Sequence, residues 1–260
     1  MSTRGRRWIG IWAAVLAVAA AASASQGGAT APAANSDRAV YTYVAWWGVP
    51  RADWPAVEKY YASTVPLMKK LTDAGTLVGW GQARAMVHDE SGMTHVEWFT
   101  ATGFAGLETT LEALRAAGPL PPAFGNAKHR DEIVRSTLNG GKPGAAGTGM
   151  LWVARYELQG EQSGDFSQLF EDEIQPLFQE QVAAGTILSY SLNFQAVHTT
   201  SPNLVAIAYV LPDAAAIDKF QAALEDYEVK HPRAGAALEA VMNIAAHRDA
   251  LFEVLAFSQK

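Results

Sequence analysis

Apolar and polar positions along this chain switch between two periods. Val40 to Val49 is rich in Tyr, Val and Trp, the make-up of a strand. Trp54, Val57, Tyr61, Val65, Met68 and Leu71 then recur at three- and four-residue steps, which is one apolar helix face. Asp53 is placed to cap that helix and Pro55 falls in its first turn. Pro66 inside it predicts a kink or a break, and Gly75 marks its end. Leu77 to His88 and Met93 to Ala101 predict a hairpin, Phe104 to Ala116 a second helix, and Glu132 to Leu138 a closing strand.

The same order returns downstream. Strands are expected over Leu151 to Leu158, Ile187 to His198, Leu204 to Leu211 and Leu251 to Phe257. Helices are expected over Phe166 to Ala184 and Ala214 to Val229, with an additional one over Gly235 to Ala246. Pro66-Leu67 aligns with Pro176-Leu177, and Ala74-Gly75-Thr76 with Ala184-Gly185-Thr186, at a constant shift of 110 residues. Val87-His88 aligns with Val197-His198 at that shift, and His129-Arg130-Asp131 with His247-Arg248-Asp249 at a shift of 118. A fixed period with matched Gly, Pro and aromatic positions indicates duplication. The expected fold is therefore α+β, two tandem ferredoxin-like β-α-β-β-α-β units over 39–139 and 150–258. The glycine-rich stretch Gly140 to Gly149 reads as a linker between them.

A β-α-β-β-α-β unit whose long first helix ends in Ala-Gly-Thr, followed by a strand bearing Trp80 or Tyr190, resembles the dimeric α/β-barrel superfamily. Its members include antibiotic-biosynthesis monooxygenases, haem-degrading monooxygenases, NIPSNAP-like and EthD-like proteins, and chlorite dismutases. The resemblance covers Val40 to Phe257 and rests on order and spacing. It implies two four-stranded sheets closing face to face, here both from one chain, as a monomeric pseudo-dimer or a homodimer. It also implies a ligand held between sheet and helices or inside the barrel. No cofactor is expected; haem is the one the resemblance admits.

The amino terminus adds a compartment. Arg4, Arg6 and Arg7 precede an apolar run from Trp8 to Ala21, and Ala22-Ser23-Ala24 fits a cleavage site. Residues 1–24 thus read as a signal peptide, since the run is short of the ~20 residues a membrane span needs. The Sec route fits better than the twin-arginine route, whose usual hydroxyl residue is replaced by Gly5. Residues 25–38 read as a flexible leader. Export predicts a periplasmic or secreted protein that no longer binds the membrane after cleavage. There is no cysteine, which excludes disulfides, thiolate metal sites and a cysteine nucleophile. The formal charge of −6 with no basic run makes a poor nucleic-acid binder.

Candidate chemistry concentrates in the first hairpin. Strand alternation puts Trp80, Gln82 and Arg84 on one face with His95, Glu97 and Phe99. A four-residue turn over Asp89 to Gly92 would set Arg84 opposite Glu97 as a cross-strand ion pair; a one-residue slip would bring Thr94, Val96 and Trp98 there instead. Arg84 could stabilise an enolate or phenolate, His95 could act as base with Glu97 beside it, and Trp80, Gln82 and Phe99 could position a substrate. In the second unit the matching positions are Tyr190, Leu192, Phe194, Val205 and Ile207, so Tyr190 and Phe194 are expected to add an apolar wall to one shared cleft. His88 and His198 recur at equivalent strand ends and read as fold residues or a ligand pair. His129 and His247 sit in repeated His-Arg-Asp triplets, where Asp131 and Asp249 could cap or pair with Arg. Nothing has the spacing of a metal site. The expected ligand is a small hydrophobic or aromatic molecule, bound or oxidised by a monooxygenase-like activity.

Overall fold

The computed structural model describes residues 39–87, 91–160 and 163–260. The expected signal peptide, the leader and His88 lie outside them. Eight antiparallel strands form a closed barrel: β1 (Val40–Gly48), β2 (Gly79–Ala85), β3 (His95–Thr102), β4 (Lys128–Gly141), β5 (Ala146–Leu158), β6 (Ser189–Val197), β7 (Leu204–Leu211) and β8 (Met242–Gln259). Around the ring they run β1-β3-β2-β8-β5-β7-β6-β4. The helices are α1 (Trp54–Asp73), α2 (Phe104–Ala117), α3 (Ser163–Glu173), α4 (Gln175–Ala183), α5 (Ala214–Lys230) and α6 (Pro232–Val241). Among the described residues no helix is long and apolar enough to cross a membrane.

Alternation along β1 separates two layers. Trp46 turns into the barrel and packs with Val96, Leu151, Val153, Phe252 and Val254. Ala45 and Trp47 turn outward, where the buried face of α1 supplies Trp54, Val57 and Tyr61. Those three residues are spaced three and four apart, so α1 lays one stripe on the sheet. Inside the barrel, Gly81 leaves room for the Trp98 ring: a Cβ there would lie 2.1 Å from it. Thr42, Thr100, Ser136 and Asn193 form a chain of hydrogen bonds across the interior, so these four side chains are paired.

Several local expectations change. Asp53 precedes α1 with no side-chain cap, because a 3-10 turn over Arg51–Asp53 already leads into the helix. α1 runs unbroken through Pro66. Pro66 and Ala62, whose carbonyl loses its partner, are both exposed, so water can satisfy that oxygen. Pro176 instead starts α4 after a break at Ile174, in the first turn where a missing N–H costs nothing. Gly140 to Gly149 is not a linker: β4 continues to Gly141 and β5 begins at Ala146, with a turn in which Ala145 N–H donates to the Lys142 carbonyl. Gly140 serves close approach, since a Cβ there would strike the Tyr190 ring at 2.6 Å, whereas Gly144 takes a positive φ of 71° in the turn.

Candidate functional site

Three rows of side chains cross the outer face of the sheet beneath α1. Cα pairings place His129, Trp47, His95 and Arg84 in the first row. The second holds Asp131, Ala45, Glu97 and Gln82, and the third Ile133, Tyr43, Phe99 and Trp80. The expected face is therefore correct, but the register is not. Gln82, not Arg84, is opposite Glu97, and Arg84 is opposite His95. Nine residues separate β2 from β3, and a slip of two residues changes partners while keeping the face. The Arg84–Glu97 ion pair is replaced. Arg84 donates to Glu58 on α1 at 2.9 Å and to Glu253 on β8 at 2.7 Å.

Ala45 is the small residue at the centre. Its methyl group leaves the space above it to its neighbours, and Glu97 and Asp131 flank it one strand away on each side. At cross-strand spacing their Cα atoms are about 10 Å apart. Trp54, Tyr61 and Phe124 pack with Ala45 in one buried cluster, and Tyr60 packs against it. Glu97 is partly buried, and its carboxyl is raised to about 7. Burial is the main cause; the Asp131 charge adds to it, while the Trp47 indole and the Gln82 amide pull the other way. Glu97 can therefore take up or release a proton near neutral pH.

His95 is fully buried, with Trp54 and Tyr61 edge-on to its ring at 5.2 and 6.0 Å. Its Nδ1 lies 3.0 Å from the Thr94 hydroxyl oxygen, which also accepts from the Val49 N–H and lies 3.2 Å from the Trp47 carbonyl. The arrangement that uses the full capacity of that hydroxyl has it donating to the Trp47 carbonyl and accepting from Nδ1–H. Nε2 is then a bare acceptor. Burial, then the Arg84 charge, lowers His95 to about 4, so the ring is neutral. Trp47 Nε1, Tyr61 Oη, Trp80 Nε1, Gln82 Oε1 and His95 Nε2 are all buried without a hydrogen-bond partner. Buried polar groups are ordinarily paired, so these five atoms mark a place for a ligand's polar atoms or for water.

The row is more exposed at its β4 end. His129 Nε2 lies 2.8 Å from Asp131 Oδ1, and these side chains are 35% and 43% exposed. The His129 ring stacks on Trp47 at 3.6 Å. Burial, and next the Asp131 carboxylate beside it, raises the pKa of the Tyr43 hydroxyl. Asp131 thus pairs with its own histidine and not with arginine. Arg130 faces the other way and bonds to Glu132 at 2.9 Å.

The other half of the barrel repeats the rows with different chemistry. Ala154 is paired with Ile207 and Asp249, and Ile207 with Leu192. His247 Nε2 lies 3.2 Å from Asp249 Oδ1 and the ring stacks on Tyr156, and the Trp152 indole donates to Asp249. Tyr190 and Phe194 belong to this half and pack against Phe178 and Phe166. They do not lie beside Glu97, because their face of the sheet is covered by α3 and α4 and not by α1. His198 is exposed just beyond β6.

Tyr43, Ala45, Trp47, Tyr60 and Tyr61 were not among the expected site residues. Alternation along β1 already put the first three on one face, but only the β1–β3 pairing reveals that it is the face of Glu97. Among the described residues no group of three or more His, Asp or Glu is placed to hold a metal ion. A haem does not fit this arrangement: His95, the buried histidine with a free ring nitrogen, has no exposed surface and lies against Trp54 and Tyr61, where a macrocycle would displace α1.

No protein-family model and no curated protein matches the chain. Solved structures do. A Fusobacterium nucleatum protein provisionally named a monooxygenase aligns with a TM-score of 0.65 at 11% identity, over 86% of this chain and 96% of that one. An anthrone oxidase-like protein aligns at 0.53 and 11%, over 85% and 94%. A haem-binding protein of Thermus thermophilus aligns at 0.51 and 10%, over 84% and 91%. At such identities the likeness shows the fold, an α+β antiparallel barrel of the ferredoxin-like kind.

Proposed function

We propose that this chain is a tandem-duplicated, exported α/β-barrel protein that binds a small aromatic molecule between its first sheet and α1 and deprotonates it on Glu97. The observation carrying this reading is Glu97 itself, raised to about 7 beside a buried aromatic cluster in which Trp47, Tyr61, Trp80, Gln82 and His95 each hold an unpaired polar atom. A base poised near neutral pH is matched to removing an acidic O–H or an activated C–H. Neutral His95 and the Tyr61 hydroxyl orient the ligand's oxygens. The monooxygenase and anthrone-oxidase names of its structural neighbours favour a sequel with molecular oxygen. In that sequel an activated methylene gives its proton to Glu97, and the carbanion passes one electron to dioxygen. Carbon radical and superoxide combine, a proton gives the hydroperoxide, and loss of water leaves a carbonyl. In sum, one methylene and one dioxygen give one carbonyl and one water, with no cofactor.

The duplication is supported by the shift of 110 residues and by the order β4-β1-β3-β2 recurring as β8-β5-β7-β6. One chain then makes a pseudo-dimer with one polar and one apolar outer site.

Anthrone is the first probe, with calorimetry for binding and an oxygen electrode for turnover. Binding and oxygen uptake that Glu97→Gln reduces in turnover alone support the enzyme. Binding without uptake leaves a binding protein. Neither in the wild type sinks the reading, and a Soret band in protein purified from the periplasm would replace it with a haem protein.

A further inference from the structure

Two side chains on the face beneath α1 are held so that each presents a bare acceptor. Gln82 is 2% exposed, and its Nε2 donates to the Thr64 hydroxyl at 2.8 Å. That hydroxyl has one proton and gives it to the Tyr61 carbonyl at 2.9 Å, so toward Gln82 it can only accept. The nitrogen end of the amide is thereby fixed on Thr64, and Oε1 is left buried with no partner. Thr94 does the same for His95. Its hydroxyl accepts from the Val49 N–H at 2.9 Å, and the carbonyls of Trp47 at 3.2 Å and Val49 at 3.4 Å are placed to take its one proton. Its remaining lone pair takes Nδ1–H of His95 at 3.0 Å, which makes Nε2 the second buried acceptor without a partner.

The two acceptors belong to one place. Gln82 stands opposite Glu97, two residues along β3 from His95, so the pair are diagonal neighbours on one face. One turn of α1 touches both: Thr64 bonds to Gln82, and the Tyr61 ring meets the His95 ring edge-on at 6.0 Å. The Tyr61 hydroxyl and the Trp80 indole N–H are buried there without acceptors. A hydroxyl group answers both needs, since it donates to one atom and accepts from another. A carbonyl or ether oxygen would satisfy the donors alone and leave two buried acceptors unmet, the costly case.

We infer that this face selects its aromatic ligand by hydroxyl groups: a polyhydroxylated arene donates to Gln82 Oε1 and His95 Nε2, and its ethers and ketones are refused. Thr64 and Thr94 are the positioning residues that fix this polarity. The selection rests on an aromatic molecule entering this face, but not on Glu97 acting as a base.

The second half of the barrel lacks the whole device. At the shift of 110 residues, Gln82 and Thr64 correspond to Leu192 and Ile174, and His95 and Thr94 to Val205 and Leu204. Each acceptor is absent together with the threonine that holds it. The two hydroxyls therefore go with the acceptors they orient and not with the framework that both halves share.

The test measures binding of naphthoresorcinol and of its dimethyl ether to the purified protein by calorimetry. The diol should bind at least tenfold more tightly than the ether. Thr64→Val lets the Gln82 amide turn over and should reduce that ratio at least threefold, whereas Thr64→Ser should keep it. Long-range proton–nitrogen NMR should find Nε2 of His95 unprotonated in the wild type and in Thr94→Ser, and both tautomers populated in Thr94→Val. Equal affinity for diol and ether overturns the selection and leaves the buried acceptors to water. A ratio that Thr64→Val does not change overturns it too, as does a proton on Nε2 in the wild type or a diol that fails to bind. Near-UV circular dichroism checks the packing of each variant, and Thr64→Val carries the test if Thr94→Val fails to fold. Anthrone turnover separates the two readings: diol preference without oxygen uptake keeps the selection and sinks the base, and uptake without diol preference does the reverse.

Discussion

Glu97 and Asp131 stand on either side of Ala45, each one strand away, so a single methyl group separates the two carboxylate positions. Ala45→Leu should force a larger side chain between them. The expected result is loss of anthrone binding with about 1–3 kcal/mol of overpacking cost by urea denaturation. Ala154→Leu should cost a similar amount and leave binding intact.

Glu97 sets a pH signature. Its carboxyl rises from 4.5 to about 7 on folding, so between those values the folded state holds the extra proton and stability falls as pH rises. Glu97→Gln removes this, and at pH 8 the variant should be more stable than the wild type by up to about 3 kcal/mol. At pH 4 the two should agree.

His95 works in the opposite sense. Its value falls from 6.5 to about 4, so between those values the unfolded chain binds the extra proton and stability falls as pH drops. In the wild type the two groups oppose each other from about pH 4.5 to 6.5. Glu97→Gln should unmask the His95 slope in urea midpoints taken across that range; a flat profile would refute the burial argument for His95.

Arg84→Gln discriminates between registers. With Arg84 tied to the partly exposed Glu58 and Glu253, its loss should cost under about 1 kcal/mol and shrink further in high salt. If Arg84 instead paired with Glu97 beneath α1, the loss should approach about 3 kcal/mol or more.

Gly81→Ala should cost about 1–3 kcal/mol, because the new methyl meets the Trp98 ring inside the barrel. Adding Trp98→Leu should recover part of that in a double-mutant cycle.

The sequence made the hairpin face legible because strand period survives any even slip: Trp80, Gln82 and Arg84 share their side with His95 and Glu97 in either register. It could not identify the partners, which depend on how much chain the loop between β2 and β3 consumes. Asp131 read as structural because its pairing with Ala45 joins positions far apart in the chain, and nothing local announces it. Val205 and Ile207 pair with Phe194 and Leu192 on β6, so that part of the sheet has apolar side chains where β3 has His95 and Glu97. Placing Tyr190 and Phe194 across the same cleft failed, because position in a repeat does not say which helices cover which sheet. Gly140 to Gly149 looked like a linker by composition, although its glycines let backbone and the Tyr190 ring approach.

One strand makes the ring complete. β8 is paired along β2 on one side and along β5 on the other, and it is the last of the eight to leave the ribosome. Until it emerges, the nascent chain carries two open strand edges at once, with the interior between them wetted. Pairings of such long sequence separation are slow to form, and open edges recruit other chains. The hazard for this protein therefore lies in the interval before closure, when a holding chaperone would matter most, and once β8 is seated neither edge is left to recruit another chain.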